Sequence, residues 1–306
     1  MNLPSRKLAK SGPWPHLRIS SAVAIVILCI LLQIAFLLVA RQALGKNESI
    51  IAALVLGLIL PTLIIVVLIS PNPGITLRLK SISLPSACWV IGAALCFTLL
   101  ASSSVELILR TGGLPSEIQA LLKEEERLIK ELFSFESAAD RFTVALAVVA
   151  VAPTAEELLF RGLLQGSLEK RLGNWTGLVM AGLAFGLLHG RLRFLPVSLL
   201  GILIGYVTMR TNSIVSGILA HSSNNALALG LAFSGRPEFL STSFLVGGIA
   251  LGGLGLVSFL WLFRKSTRGT TRISKATHDS NSHLDPSFQE SRVSALNPGP
   301  ESGGET

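Results

Sequence analysis

The chain has 306 residues, of which 50% are hydrophobic and only 14% are charged. Soluble globular proteins carry about 25% charged residues, so this chain has too few solvated side chains to cover a surface in water. The composition excludes an ordinary soluble enzyme, a disordered protein and a nucleic-acid-binding module. It predicts a polytopic membrane protein.

The formal net charge of +8 is concentrated near the ends of the chain. Residues 1–18 carry four cations and no acid, and residues 264–275 carry five cations and no acid. These segments flank the first and last hydrophobic runs, a pattern typical of the positive-inside rule rather than of a groove for nucleic acid. The predicted short loops carry five cations on each side, so the termini decide the orientation. We therefore predict cytoplasmic termini and no nucleic-acid partner.

Hydrophobic runs of about 20 residues, the length that crosses the hydrocarbon core, predict an all-α bundle of about eight transmembrane helices. The predicted spans are 19–40, 50–70, 87–105, 142–166, 174–190, 193–210, 213–233 and 242–263. The first span is long and lacks a small-residue cleavage site, so we expect an anchor rather than a removed signal peptide. Pro61 is expected to kink the second helix.

The long connection at 111–140 spaces its apolar residues like one face of a helix, with acids between them. It predicts an amphipathic helix at the membrane interface or capping the bundle, with its acids on a solvated face. Residues 266–306 are rich in Ser, Thr, Gly, Asn and Pro and predict a disordered tail. The expected organisation is a basic N-terminus at 1–18, N-terminal helices and the amphipathic connection at 19–140, a core at 141–235, a last transmembrane helix at 236–265 and the tail.

A pair of adjacent carboxylates lies inside the fourth predicted helix, where an ionisable residue is costly and is a candidate for function. Glu157 and Arg161 are four residues apart with the acid first, which is the favourable order for an ion pair on a helix. Glu156 is rotated by about 100° and has no basic partner at this spacing. We therefore predict that Glu157 is the paired, structural carboxylate and Glu156 the free one, which suits a general base. Pro153 is expected to open the helix nearby.

Two further polar clusters lie in later helices. His189 follows Phe185 by four residues, and Asn225 follows His221 by four residues, so each pair shares one helix face. Imidazole can donate or accept a hydrogen bond, and an amide can donate, so His221 and Asn225 could hold a water or a developing oxyanion. The adjacent Asn224 is expected to be secondary.

One Glu, two His and one Asn provide the groups that activate a water molecule. Glu156 is expected to take the proton from water, His189 to position the water or shuttle the proton, and His221 with Asn225 to stabilise the tetrahedral intermediate. Two histidines and a carboxylate also match known zinc ligand sets, so zinc held by Glu156, His189 and His221 is the open alternative.

The patterns EExxxR, FxxxH and HxxxN, in this order, resemble those of the CPBP family of intramembrane proteases. This family includes the CAAX prenyl endopeptidases and bacterial proteins called Abi or bacteriocin-immunity proteins. The resemblance covers about residues 140–235; each pattern is weak alone, and the three together are specific. It implies an eight-helix bundle around a cavity, and a protease for which both metal-dependent and glutamate-dependent chemistry have been described. The residues that it implies are catalytic Glu156, His189, His221 and Asn225, supported by Glu157, Arg161 and Phe185.

The predicted spans conflict in depth. At 1.5 Å per residue, Glu156 lies about 21 Å along its helix from residue 142, and His189 lies about 23 Å from residue 174. If the two helices start on opposite sides of a core of about 30 Å, the two side chains differ in depth by about 14 Å. We therefore expect the fourth helix to begin before 142, or the fifth to continue past His189.

The sequence predicts an intramembrane endopeptidase that acts on a membrane-associated peptide or lipidated protein, such as a prenylated CAAX-type substrate. The alternatives are a non-catalytic immunity or scaffold protein and a proton-coupled transporter, in which buried Glu and His are equally natural. The expected location is a bacterial cytoplasmic membrane, with membrane lipid as the second partner.

Overall fold

The computed structural model describes residues 17–110, 115–133, 135–233 and 241–282. Over these residues the chain contains helices and no strand, so the all-α prediction is confirmed. Besides the four-residue helix Pro73–Thr76, the helices are α1 (Ile19–Ala43), α2 (Lys46–Ile69), α3 (Leu84–Arg110), α4 (Ser116–Leu132), α5 (Ala138–Leu172), α6 (Asn174–Leu187), α7 (Phe194–Thr211), α8 (Ile214–Phe233) and α9 (Thr242–Ser282).

Each predicted span coincides with a helix, and the part of the chain that the structure describes has 6 helices long and apolar enough to cross a membrane. Large apolar side chains such as Leu68 and Leu254 are 78% and 70% exposed, as expected for surfaces that face lipid. The protein is therefore an integral membrane protein. α6 is shorter, with 14 residues, and α8 carries the polar cluster around His221. The count of eight crossings stays a prediction.

Three segments of these helices are π-helical, and two of them end two residues before a proline. Val55–Ile59 lies before Pro61, and Leu146–Val151 lies before Pro153. Proline lacks an N–H and its ring clashes with the carbonyl four residues earlier, which here falls inside the wider π segment. The expected disturbances at both prolines therefore take the form of π segments.

Tight packing between α5, α6 and α7 depends on two glycines that face each other. A Cβ added to Gly182 would lie 2.9 Å from the backbone N of Ile202, and one added to Gly201 would lie 3.1 Å from the Cα of Gly182, so larger residues would push α7 away from α6. Two glycine carbonyls of α7 accept hydrogen bonds from side chains of α5. Arg161 Nη2 donates to the Gly201 carbonyl, and Gln165 Nε2 to the Gly205 carbonyl, both at 3.1 Å.

The chain divides into two units, Met1–Phe263 and Arg264–Thr306. The disordered tail from residue 266 stays a prediction, although α9 is described as far as Ser282. Extending an existing helix requires no new nucleation, so the polar residues that follow the apolar span can remain helical. The rest of the predicted tail, 283–306, and most of the basic N-terminus, 1–16, lie outside the described residues.

Candidate active site

Glu156 and Glu157 lie in a short α-helical stretch, Ala152–Glu157, between two π segments of α5. The second of these, Leu158–Gln165, begins directly after Glu157 and is entirely buried. π segments are frequent at functional sites because they rotate side chains away from the regular helical repeat. The local backbone therefore sets the direction of both carboxylates.

Glu157 and Arg161 form a fully buried ion pair. Arg161 Nε lies 3.2 Å from Glu157 Oε2, and both side chains are 0% exposed. The Arg161 guanidinium carbon also lies 4.8 Å from the centre of the Phe185 ring, a cation–π geometry. With its bond to the Gly201 carbonyl, Arg161 thus ties α5 to α6 and α7.

His221 of α8 lies between the two glutamates. Its Nδ1 is 3.0 Å from Glu157 Oε1, and its Nε2 is 3.8 Å from Glu156 Oε2. An ionised carboxylate only accepts hydrogen bonds, so Nδ1 donates to Glu157. The ring orientation of His221 is therefore set by the buried carboxylate, while Nε2 faces Glu156. This contact joins residues 64 positions apart, and no local pattern in the sequence indicates it.

His189 lies just after the end of α6, in the turn that leads to α7. Its Nδ1 is 2.8 Å from the Phe185 carbonyl, so Nδ1 donates and Nε2 is the acceptor nitrogen. The Phe185 ring contacts both histidines, with its centre 4.6 Å from the His189 ring and 5.6 Å from the His221 ring. Phe185 therefore separates the two imidazoles and fixes their spacing.

Asn225 and Asn224 join α8 to its neighbours. Asn225 Nδ2 donates to the carbonyl of Val148, in the first π segment of α5, at 2.9 Å. Asn224 Nδ2 donates to Asn225 Oδ1 at 3.1 Å, and Thr98 of α3 donates to Asn224 Oδ1 at 2.8 Å. A side-chain amide has two N–H donors, so Asn225 keeps one N–H beyond its bond to Val148.

A cavity of about 1790 Å³ brings the predicted residues together. Its wall includes Glu156, His189, His221, Asn225, Asn224 and Phe185, whereas Glu157 and Arg161 lie behind this wall. The Glu156 side chain is 22% exposed, and its Oε2 is a buried atom without a hydrogen-bond partner in the part of the chain that the structure describes. A buried carboxylate oxygen needs a donor, and a water or a substrate N–H can supply it.

The amphipathic helix α4 forms part of the same cavity wall. Its apolar residues Leu122 and Ile129 line the cavity, and Glu125 forms an ion pair with Arg193 in the turn that carries His189. The expectation of a purely solvated acidic face is therefore wrong at Glu125, because α4 packs close enough to that turn to pair with it. At the exposed surface of α4, Arg127 donates a hydrogen bond to Glu124 and lowers the pKa of that carboxyl.

The conflict in depth is removed by the length of α5. It begins at Ala138 and has 35 residues. This agrees with the expectation that the fourth predicted helix begins before residue 142. Such a helix is about 52 Å long and exceeds the hydrocarbon core, so its first residue does not fix the depth of Glu156. The other expectation is wrong, since α6 ends at Leu187 and His189 lies in the turn beyond it.

The zinc alternative was tested against the donor geometry. Among the described residues, no three His, Cys, Asp or Glu side chains lie together in a way that could hold a metal ion. Glu156 and His221 are close, and both imidazoles are bonded through Nδ1, to Glu157 and to the Phe185 carbonyl, which is also the hydrogen bonding that metal-bound histidines usually have. In this arrangement Glu156, His189 and His221 do not converge as a set of metal ligands, and the zinc alternative stays a prediction.

Comparison with known families shows what the segment around this site is similar to. Residues 138–227 match the family described as Rce1-like, type II CAAX prenyl endopeptidase Rce1-like. The match covers just under a third of the chain and contains every predicted site residue. Neither the comparison with curated proteins nor that with solved structures found a match.

This match confirms the resemblance that the three motifs indicate. Over residues 138–227 the chain is similar to a family of type II CAAX prenyl endopeptidases, as the resemblance to CPBP intramembrane proteases implies.

Proposed function

We propose that the protein is an intramembrane endopeptidase that hydrolyses a peptide bond with a water molecule activated by Glu156. The observation that carries the proposal is that the partly exposed Glu156 side chain lines the cavity, while its buried Oε2 has no hydrogen-bond partner among the described residues. A carboxylate in this position has a lone pair available for a water that donates to it. The match of residues 138–227 to a family of endopeptidases supports the same chemistry.

In the proposed reaction, the water oxygen attacks the carbonyl carbon of the scissile bond while Glu156 takes its proton. The carbonyl oxygen becomes an oxyanion, and the second N–H of Asn225 donates to it, as does His221 Nε2–H when the imidazole carries a proton on both nitrogens. When the C–N bond breaks, the proton moves from Glu156 to the leaving amine, with His189 as the positioning or shuttling group. Glu157 takes no proton in this scheme; it holds His221 through Nδ1.

We propose a membrane-associated peptide or lipidated protein as the substrate, with a prenylated CAAX-type peptide as the first candidate. A cavity of about 1790 Å³ has room for a peptide segment together with a hydrocarbon chain. Its wall combines the polar groups around Glu156 with apolar side chains from α4 and α8, such as Leu122 and Leu229. A site of this kind suits a substrate with one polar and one apolar part.

We also propose a bacterial cytoplasmic membrane as the location, with both termini on the cytoplasmic side. The cations of residues 1–18 and 264–275 support this orientation, since cationic flanking segments stay on the cytoplasmic side.

The proposal is tested by cleavage of fluorogenic peptides, prenylated and unprenylated, by the purified protein in detergent. We expect Glu156→Gln to lower kcat by about 10²–10⁴-fold, because the amide cannot take a proton. Glu106→Gln is the matched control, since Glu106 lines the same cavity but forms an ion pair with Arg110. Equal cleavage by wild type and Glu156→Gln would overturn the role of Glu156 as the base.

Metal analysis of the same preparation tests the zinc alternative. We expect cleavage to survive chelation, with no stoichiometric metal in the active protein. Stoichiometric zinc that is lost together with activity on chelation, and restored with it, would favour the metal-dependent mechanism.

A non-catalytic scaffold is the second candidate, because Glu157, Arg161 and Asn225 all make contacts that hold helices together. Absence of cleavage by folded wild type across both peptide sets would favour this candidate.

A further inference from the structure

A second cavity lies between the α2–α3 connection at 70–83 and the α7–α8 connection at 212–213. The N–H of Ile214 donates to the Arg78 carbonyl at 3.0 Å, and the Ser213 hydroxyl donates to the Lys80 carbonyl. Arg78 forms an ion pair with Glu169 near the end of α5. Helices joined by short loops are antiparallel neighbours, so this end of the bundle is opposite the turn that carries His189.

The second cavity has a volume of about 410 Å³ and a cationic wall. Arg78 and Lys80 line it together with the amides of Asn72 and Asn212, and none of the described residues that line it is acidic. Arg78 is only 5% exposed, whereas Lys80 is at the surface. Two cations and two amides provide donors for an anion with several acceptor oxygens.

The backbone of this wall is held in an unusual conformation. Arg78 has a φ of 53° and Asn212 a φ of 49°, the two non-glycine residues with positive φ in the part of the chain that the structure describes. This conformation is costly for a residue with a long side chain, and it persists only where surrounding contacts enforce it. Here the bond from Ile214 to Arg78 supplies such a contact, so the wall is formed before any ligand binds.

The surrounding segments add further positive charge. Residues 70–83, 166–174 and 209–214 together contain five cations and one carboxylate, a net charge of +4. The cations are Arg78, Lys80, Lys170, Arg171 and Arg210, and the carboxylate is Glu169. This charge attracts an anion to the end of the bundle where the cavity lies.

Apolar side chains beside the cations favour an anion that carries hydrocarbon chains. Ile75 and Leu79 also line the cavity and are 50% and 59% exposed. We propose that this cavity binds the phosphate group of an anionic phospholipid, with Lys80 and the two amides on the phosphate and with Ile75 and Leu79 against the lipid chains. Basic pockets between transmembrane helices suit such headgroups. This inference is independent of the proposed protease activity.

The test is lipid binding to the full chain in detergent, measured by native mass spectrometry with added phosphatidylglycerol. We expect one lipid to bind more tightly than the rest, and Lys80→Ala to weaken that binding about fivefold. Asn72→Asp should weaken it as well, because its carboxylate opposes the phosphate while the residue keeps its shape. Lys46→Ala is the matched control, an exposed lysine at the opposite end of the bundle, and should leave binding unchanged.

Three outcomes would overturn the proposal. In the first, Lys80→Ala and Lys46→Ala have equal effects although both proteins elute and melt like wild type. In the second, diacylglycerol, which has no phosphate, binds as tightly as phosphatidylglycerol. In the third, inorganic phosphate at millimolar concentration displaces the lipid with the same dependence on Lys80, which would assign the site to free phosphate instead.

Discussion

Glu156 and Glu157 are neighbours in the chain but lie in opposite environments. Glu157 is fully buried and bonded to Arg161 and His221, whereas Glu156 is 22% exposed and faces the cavity. A rotation of about 100° per residue is enough to separate the two regions. We therefore distinguish two regions with different roles. The buried region, formed by Glu157 and Arg161, holds the structure of the site. The cavity wall, with Glu156 and His189, carries the reacting groups.

This comparison predicts different costs for changes in the two regions. Breaking a buried ion pair leaves an uncompensated charge and affects folding, whereas a partly exposed group on a cavity wall can change with little effect on folding. Stability and activity should therefore separate when the two regions are mutated one at a time.

The largest effect on stability is expected for Arg161→Leu. It leaves Glu157 buried without its cation, which costs about 3–5 kcal/mol. Thermal unfolding in detergent should show a strongly lowered midpoint, together with loss of cleavage. Arg127→Leu is the control, because Arg127 pairs with Glu124 and Glu131 on the exposed face of α4 and its loss should not change the midpoint measurably. Similar midpoints for the two variants would contradict the structural role of Arg161.

The next effect is expected at His189 and concerns activity alone. His189→Gln keeps a polar side chain but removes the imidazole, and should lower kcat about 10²-fold or more. The unfolding midpoint should stay close to that of wild type, since His189 lies in a turn and is only partly buried. A lowered midpoint with unchanged kcat would place His189 in the structural region instead.

Asn225 lines the cavity and also holds α8 to α5, so it shares features of both regions. Its replacement should lower stability less than Arg161→Leu does. Asn225→Ala removes the hydrogen bond to the Val148 carbonyl and should cost about 1 kcal/mol. If its second N–H also holds the oxyanion, kcat should fall about 10²-fold or more. Asn224→Ala is the matched control: it removes a neighbouring amide with a similar cost in stability and should retain activity. Equal kcat values for the two variants would argue against a role of Asn225 in the reaction.

Much of the fold could be predicted from local patterns. Runs of about 20 apolar residues place the helices, and the four-residue spacing of Glu157 and Arg161 indicates their ion pair, because both depend on neighbours within one helix. The helix α9 extends past residue 266, where composition predicts a tail, and composition alone does not reveal a helix that continues from an apolar span.

The contacts that join different helices could not be predicted in this way. The bond between His221 and Glu157 and the bond between Asn225 and Val148 connect α8 to α5. They depend on how the helices pack, which includes the π segments around Glu156. The ion pair of Glu125 with Arg193, which attaches α4 to the turn with His189, is of the same kind.

The claim that Glu156 reacts and that Glu157 positions His221 is tested by comparing Glu156→Gln with Glu157→Gln. Both kcat and the unfolding midpoint should be measured for each variant in the same detergent. The account predicts that Glu156→Gln loses cleavage with a midpoint near wild type, and that Glu157→Gln loses cleavage together with a clear drop in midpoint. A folded Glu157→Gln protein with full activity, or cleavage that survives Glu156→Gln, would contradict it.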